Sequence, residues 1–125
     1  MSPSLLANIG RIAYGIPFIL FGAFHLMDPG KMAGMVPSWV PGGGSMWVVI
    51  TGLSLIIAGL AILLNRFTYL IGLLLALLLL TFVVAVHIPN TMSGDANIKM
   101  MGMVGMLKDI GLLGAALLIA ARAKT

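Results

Sequence analysis

Four long apolar segments, separated by short polar stretches, dominate the hydrophobic pattern of this chain. They cover residues 5–27, 45–64, 67–88 and 100–121. A helix that crosses a bilayer needs about 20 mostly apolar residues, because the hydrocarbon core is about 30 Å thick and each helical residue rises about 1.5 Å. Residues 70–86 lack the polar alternation of a barrel strand. The pattern predicts an all-α, polytopic membrane protein built as a bundle of four transmembrane helices.

The polar stretches between these segments contain residues that end helices. A turn at residues 28–30 follows the first segment, and Pro89 is expected to end the third segment before the polar residues 91–97. Residues 65–66 make a very short second connection, so the second and third helices are predicted to be antiparallel neighbours.

The connection between the first and second segments is the longest. Residues 32–41 mix methionine, valine and Trp39 with Pro37 and Pro41, a composition typical of the headgroup layer of a membrane. The three glycines at 42–44 indicate a flexible hinge into the second helix. We therefore expect a long interfacial loop that is partly ordered.

Composition narrows the class of protein further. The 125 residues suit a single domain, 1–125, and an apolar content of 61% with seven basic and three acidic residues excludes an ordinary soluble protein. The net charge of +4 is scattered singly, which excludes the basic stripe of a nucleic-acid-binding protein. The absence of cysteine excludes disulfides and thiolate chemistry, so any redox role needs a borrowed cofactor.

Basic residues are more numerous near one set of helix ends than near the other. The richer set, which includes both termini, contains Arg11, Arg66, Arg122 and Lys124. The other set contains Lys31 and Lys99. Because cytoplasmic loops carry the excess of basic residues, both termini are predicted to be cytoplasmic, and Arg11 is expected to snorkel to that surface.

Five ionisable residues are predicted to lie in or at one outer half of the bundle: His25, His87, Lys108, Asp109 and Asp28. Each costs a few kcal/mol in lipid unless it is paired or faces a polar cavity. Lys108 and Asp109 diverge by about 100° on a helix, so we expect Lys108 to reach Asp28 or a loop carbonyl and Asp109 to reach His25 or His87. Together the five form a candidate ligand or proton site. The alternatives are a polar network that only fixes helix packing, or side chains that reach the headgroup layer.

Other kinds of site find little support in the sequence. The two histidines and one aspartate lack close-spaced metal-ligand motifs, and no catalytic motif is present, so we expect no metal and leave enzymatic activity open. Small residues recur at helical spacing in Gly15 with Gly22, Gly52 with Gly59, and Gly111 with Ala115. We interpret them as helix packing within one bundle, with a homodimer left open.

The order of short motifs along nearly the whole chain resembles the DoxX family, particularly its DoxX-like branch. The matching segments are 22–26 (Gly-Ala-Phe-His-Leu), 35–37 (Met-Val-Pro) with Pro41, 51–52 (Thr-Gly), 59–60 (Gly-Leu), Arg66, and 107–114 (Leu-Lys-Asp-Ile-Gly-Leu-Leu-Gly).

The resemblance implies a small four-helix protein of the bacterial inner membrane. Some members are associated with quinone-linked oxidoreductases, such as the thiosulfate-oxidising complex, and others with oxidative-stress complexes. The family commonly has a glutamate in the second helix where this chain has Ser54, which removes the obvious carboxylate partner for Lys108.

These features support three hypotheses for function. The first is an accessory or anchoring subunit of a membrane oxidoreductase, with a quinone or lipid site near the candidate residues and a membrane redox protein as partner. The second is a membrane assembly factor or chaperone without a ligand. The third is a small oligomeric transporter, against which no helix shows a continuous polar stripe.

Overall fold

The regular structure of this protein is entirely helical in the computed structural model, which describes residues 1–123. The α-helices are α1 Pro3–Met27, α2 Pro29–Met32, α3 Gly44–Leu63, α4 Thr68–Phe82, α5 Ile88–Thr91 and α6 Ala96–Arg122. A 3-10 turn, Ala33–Met35, follows α2, and a π-helical turn, Val83–His87, joins α4 to α5. The predicted all-α class is confirmed. Lys124, one of the basic residues assigned to the cytoplasmic side, lies outside the described residues.

Four helical stretches within residues 1–123 are long and apolar enough to cross a membrane. They are α1, α3, the continuous stretch Thr68–Thr91, and α6. Their bounds agree with the predicted segments to within a few residues, except at the end of the third and the start of the fourth.

The fourth helix begins four residues earlier than predicted because Asp95 caps it. The Asp95 carboxylate accepts hydrogen bonds from the backbone N–H groups of Asn97, at 2.9 Å, and Ile98, at 3.2 Å. These are two of the N–H groups that have no partner within a helix, so a side-chain acceptor stabilises the first turn. As a consequence Asp109 lies at the middle of α6.

The prediction that Pro89 ends the third helix was wrong. Helical structure continues through Pro89 to Thr91, because the π-turn intervenes and Pro89 falls in the first turn of α5. A proline is tolerated at such a position, where its missing N–H has no helical partner to lose. The π-turn adds one residue to the helical register and so rotates α5 relative to α4.

The turn between α3 and α4 is closed by the backbone around Asn65. Asn65 adopts a left-handed conformation with φ of 55°, and the Arg66 N–H donates to the Ala61 carbonyl at 2.8 Å. The Asn65 N–H donates to the Ile62 carbonyl at 3.1 Å, which completes a Schellman motif. Asparagine tolerates this conformation better than most residues, so the short predicted connection is explained.

Arg11 has a more specific role than the expected snorkelling. Its guanidinium donates to the carbonyl oxygens of Ile62 and Leu63, both at 2.7 Å. These are among the last carbonyls of α3, which lack partners within the helix. Arg11 therefore ties the first half of α1 to the end of α3.

Paired small residues bring the helices together as two tight antiparallel hairpins. An ideal Cβ at Gly22 would lie 2.5 Å from the Gly52 carbonyl oxygen, and one at Gly15 would lie 3.0 Å from the Gly59 carbonyl oxygen, so α1 and α3 touch backbone to backbone. A Cβ at Gly72 in α4 would lie 2.8 Å from the Ala116 carbonyl oxygen in α6. The predicted packing role holds for Gly15, Gly22, Gly52 and Gly59, whereas a Cβ at Gly111 would meet nothing within 4 Å.

The hydrophobic core lies between the two hairpins and takes residues from all four long helices. Its buried members are Phe18, Leu55, Ala58, Ile62, Leu75, Ala76, Leu79 and Ala116. Tyr14 adds a polar link across the same boundary, because its hydroxyl donates to the Leu112 carbonyl oxygen of α6.

The connection from α1 to α3 is only partly a loop. It contains α2 and the 3-10 turn, and its non-helical part covers residues 36–43. Gly44 packs on Ala33, where an ideal Cβ would lie 2.6 Å from the Ala33 carbonyl oxygen. Gly42 and Gly43 have φ of 97° and 88°, so they supply a conformation that other residues rarely adopt. These glycines therefore form the turn that leads the connection into α3.

We predict that Gly22→Ala lowers the free energy of unfolding by about 1–3 kcal/mol, because the added methyl group meets backbone that cannot move aside. Gly10→Ala in the same helix is the matched control, since its Cβ would meet nothing within 4 Å. That control is expected to be neutral or stabilising by about 0.5–1 kcal/mol. Equilibrium unfolding in mixed detergent micelles measures both, and equal stability of the two variants would contradict the close α1–α3 contact.

Candidate functional site

The local backbone of α5 and α6 determines where His87 lies. The π-turn ends at His87, and two glycines of α6 allow this part of the chain to approach. An ideal Cβ at Gly102 would lie 2.8 Å from the His87 carbonyl oxygen, and one at Gly105 would lie 2.5 Å from the His87 ring. Only glycine leaves room for the imidazole against α6.

His87 and Asp109 form a short, buried hydrogen bond. The imidazole Nε2 lies 2.7 Å from the Asp109 Oδ2, and the two side chains are 14% and 4% exposed. An ionised carboxylate only accepts hydrogen bonds, so Nε2 carries the proton in this pair. The structure therefore supplies the histidine partner that was predicted for Asp109, and it selects His87 over His25.

Lys108 lies beside this buried pair and is half-exposed. Its Nζ lies 3.7 Å from the Asp109 Oδ1, beyond hydrogen-bonding distance, and 5.4 Å from the centre of the Phe21 ring. Lys108 and Asp109 were expected to have separate partners. Asp109 has His87, but Lys108 also lies within ion-pair distance of Asp109 because the long lysine side chain bends back towards its neighbour. The ammonium group also makes a cation–π contact with Phe21.

His25 is fixed by its own helix. Its Nδ1 lies 2.6 Å from the Phe21 carbonyl oxygen, one turn earlier in α1. A carbonyl oxygen accepts hydrogen bonds, so Nδ1 carries a proton, and in the neutral ring Nε2 is left as an acceptor. Phe21 thus links His25, through its backbone, to Lys108, through its ring.

Four of the five predicted residues lie around one cavity of about 500 Å³ between the two hairpins: His25, His87, Lys108 and Asp109. The remaining wall is mainly apolar and aromatic, and it includes Phe18, Phe21, Trp39, Trp47, Val48, Leu55, Leu79, Phe82 and Leu112. A largely apolar pocket with a few convergent polar groups is the usual form of a small-molecule site.

Asp28 does not line this cavity. Its carboxylate accepts a hydrogen bond from the Lys31 backbone N–H at 3.3 Å and caps α2. The expected contact between Asp28 and Lys108 is absent from the ion pairs within residues 1–123. Asp28 shapes the connection and is separate from the polar part of the cavity wall.

The connection between α1 and α3 covers one side of the cavity. Met32, Met35 and Trp39 contribute to the wall, and the Trp47 indole Nε1 donates to the Pro41 carbonyl oxygen at 2.5 Å. This bond fastens the end of the connection to the first turns of α3. The composition of residues 32–41, which suggested an interfacial position, here supplies apolar side chains to the cavity.

Ser54 also lines the cavity, but its hydroxyl donates to the Ile50 carbonyl oxygen of its own helix at 2.8 Å. Thr81 in α4 does the same with Leu77 at 2.9 Å. Their hydroxyl protons are therefore already used. The replacement of a carboxylate by Ser54 leaves the α3 wall without charge.

A second, more open cavity of about 390 Å³ lies on the far side of His87 and Lys108. It is lined by Met35, His87, Asn90, Met100, Met101, Val104, Gly105 and Lys108. The two polar side chains thus border both cavities. Within residues 1–123 no group of three side chains of the kind that holds a metal ion comes together.

Sequence reasoning missed the aromatic residues that complete the site. Phe21 contacts both His25 and Lys108, and Tyr14 and Trp47 make hydrogen bonds that hold the cavity walls. The spacing of Phe21 and His25, four residues apart on one helix, was a usable signal because such pairs share a face. Nothing in the sequence indicated that Tyr14 would reach α6.

Comparison with known proteins gives one family. Residues 15–121 match the model described as Domain of unknown function (DUF8561), and the chain belongs to that family. No curated protein and no solved structure matches the chain.

Removing one partner of the His87–Asp109 pair tests its contribution to stability. We predict that His87→Leu costs about 3–5 kcal/mol, because it leaves a buried carboxylate without its hydrogen bond. The double variant His87→Leu with Asp109→Leu is expected to recover most of that loss, since no buried charge remains. The free energy of unfolding, measured for both single variants and for the double variant, tests this prediction. If the losses of the two single variants add up in the double variant, the pair is not coupled.

Proposed function

We propose that this member of the DUF8561 family is an integral membrane protein that spans a lipid bilayer four times and binds an apolar small molecule in the cavity between its hairpins. The four long helices support the spanning arrangement. Large apolar side chains such as Leu20, Ile57 and Leu77 are about half-exposed along their outer faces. In water such a surface would be a large exposed apolar patch, whereas lipid satisfies it.

Basic residues support an orientation with both termini in the cytoplasm. Arg66 lies in the α3–α4 turn, Arg122 ends α6, and Arg11 binds the end of α3, so all three belong to one end of the bundle. The opposite end has Lys31 and Lys99. In this orientation the connection and the cavity belong to the outer half of a bacterial inner membrane.

The single observation that carries the ligand proposal is a lysine beside an apolar cavity at mid-helix. Asp109 is 13 residues from each end of α6, which places Lys108 about 20 Å from either end at about 1.5 Å per residue. An ammonium group at that depth costs a few kcal/mol unless it has a partner. Asp109 Oδ1, 3.7 Å away, is such a partner but accepts no hydrogen bond from the ammonium group, and a ligand with a polar end in the cavity supplies an acceptor.

The resemblance to the DoxX family supports quinone as the ligand and an oxidoreductase as the partner. A quinone has an apolar body for the aromatic wall and ring oxygens that accept hydrogen bonds from Lys108. Lys108 would stabilise charge that develops on such an oxygen, and His25 or His87 would exchange a proton with it. In this role the chain is an accessory or anchoring subunit, and the electrons come from its partner.

Native mass spectrometry of protein extracted from its own membrane in mild detergent tests this function. We predict a stoichiometric small molecule on the wild type that is lost in Ser54→Trp, because the indole fills the cavity. Leu53→Trp is the matched control, since Leu53 is exposed and lies outside the cavity wall; it should keep the ligand.

Two results would contradict the proposal. A ligand that survives in Ser54→Trp lies somewhere other than the cavity. A wild-type chain that carries another protein and no small molecule favours the assembly-factor hypothesis, and an oligomer without either favours the transporter hypothesis.

A further inference from the structure

We infer that the ligand of the cavity is a single-chain amphiphile with an anionic carboxylate head, and that the head binds Lys108 Nζ while the chain lies against the aromatic wall. This inference rests on the proposed cavity site, but it names a different class of ligand from the quinone that the DoxX resemblance favours. It depends on which groups the acidic side chains of the chain already bind.

Every acidic side chain of this protein already has a partner. The sequence contains three such residues, Asp28, Asp95 and Asp109. Asp28 caps α2, Asp95 caps α6, and Asp109 accepts from His87. The first two lie outside both cavities. Of the three, Asp109 also lies near a cation of the cavity wall: its Oδ1 is 3.7 Å from Lys108 Nζ, an ion-pair distance without a hydrogen bond.

Lys108 shares Asp109 with His87, which holds the shorter contact. Within residues 1–123 its Nζ has no hydrogen bond, since the Asp109 oxygen is 3.7 Å away and Phe21 offers only a ring face. The side chain is 52% exposed and borders the cavity. Its three N–H donors are thus available to a ligand.

The charge of Lys108 favours an anionic head over a neutral one. A carboxylate oxygen forms a charge-assisted hydrogen bond, which is shorter and about twice as strong as one to a neutral acceptor. The gain is larger in apolar surroundings, where the attraction between two charges is less screened. A neutral ketone or hydroxyl oxygen accepts only a weaker hydrogen bond from the ammonium group.

The shape and chemistry of the remaining wall favour one apolar chain. The volume of about 500 Å³ is in the range of a drug-sized ligand, and the wall away from Lys108 is formed by residues such as Phe18, Trp47, Leu55 and Phe82. Ser54 and Thr81 use their hydroxyl protons within their own helices, so this part of the wall has few donors for a second polar group. One charged end and one apolar body match this arrangement.

Both tryptophans of the chain, Trp39 and Trp47, line the cavity, so their fluorescence reports on it. The full-length protein in phosphatidylcholine nanodiscs is titrated with dibromostearic acid, whose bromine atoms quench tryptophan, and with the matching dibromostearyl alcohol. We expect saturable quenching by the acid that oleate reverses. The alcohol should bind at least about tenfold more weakly, which is the lower end of the effect of a hydrogen bond to a charged group.

Substitutions at Lys108 test the head contact. Lys108→Met is expected to remove the preference for the acid, and Lys108→Arg to keep it. Lys99→Met is the matched control, because Lys99 lies on α6 outside both cavities and its loss removes the same charge. Equal affinity for acid and alcohol in the wild type, or an unchanged preference in Lys108→Met, would overturn the inference.

A third titration, with a short-chain ubiquinone, separates this inference from the proposed cavity site. If ubiquinone quenches saturably and the brominated acid does not, the cavity binds a neutral ring and the carboxylate inference is wrong. If neither probe gives saturable quenching and no ligand co-purifies, both the inference and the proposed site are wrong.

Discussion

Backbone contact at paired glycines is the constraint on which the rest of this structure depends. Gly22 against Gly52, and Gly72 against Ala116, bring the helices of each hairpin as close as their backbones allow. Such contacts are typical of helices packed in lipid, where apolar burial provides little driving force between helices. Larger side chains such as Phe18, Leu55 and Leu79 pack between the two hairpins. There they fill the core at one end and surround a cavity at the other.

The polar residues of the cavity are arranged by the cost of burying Asp109. A carboxylate that is 4% exposed requires a hydrogen-bond donor, and His87 provides it. That contact depends in turn on Gly105 and on the π-turn, which together place the imidazole against α6. Since Asp109 is satisfied by His87, Lys108 remains the polar group best placed to meet a ligand.

The sequence was sufficient for the helices and for most of the site, because both depend on simple properties. The length of each apolar segment predicts the spanning helices. The cost of a charge in lipid indicated the four ionisable residues that line the cavity. The features that could not be predicted from the sequence depend on irregular backbone or on contacts between distant parts of the chain. Pro89 continues the helix only because a π-turn precedes it, Asp28 serves a short helix that the pattern did not reveal, and Arg11 caps a helix distant in sequence. The resemblance to the DoxX family stays a prediction.

Labelling of single cysteines tests the membrane-spanning arrangement most directly, because the natural chain has no cysteine. Ser4 lies at the start of α1, and Gly94 follows the third spanning stretch. Three proposed crossings therefore separate the two positions, which places them on opposite sides of the membrane. In intact cells a membrane-impermeant maleimide should label Gly94→Cys, and it should label Ser4→Cys only after the membrane is opened. Labelling of both positions from the same side would contradict the four-span arrangement and, with it, a cavity that faces the outer leaflet.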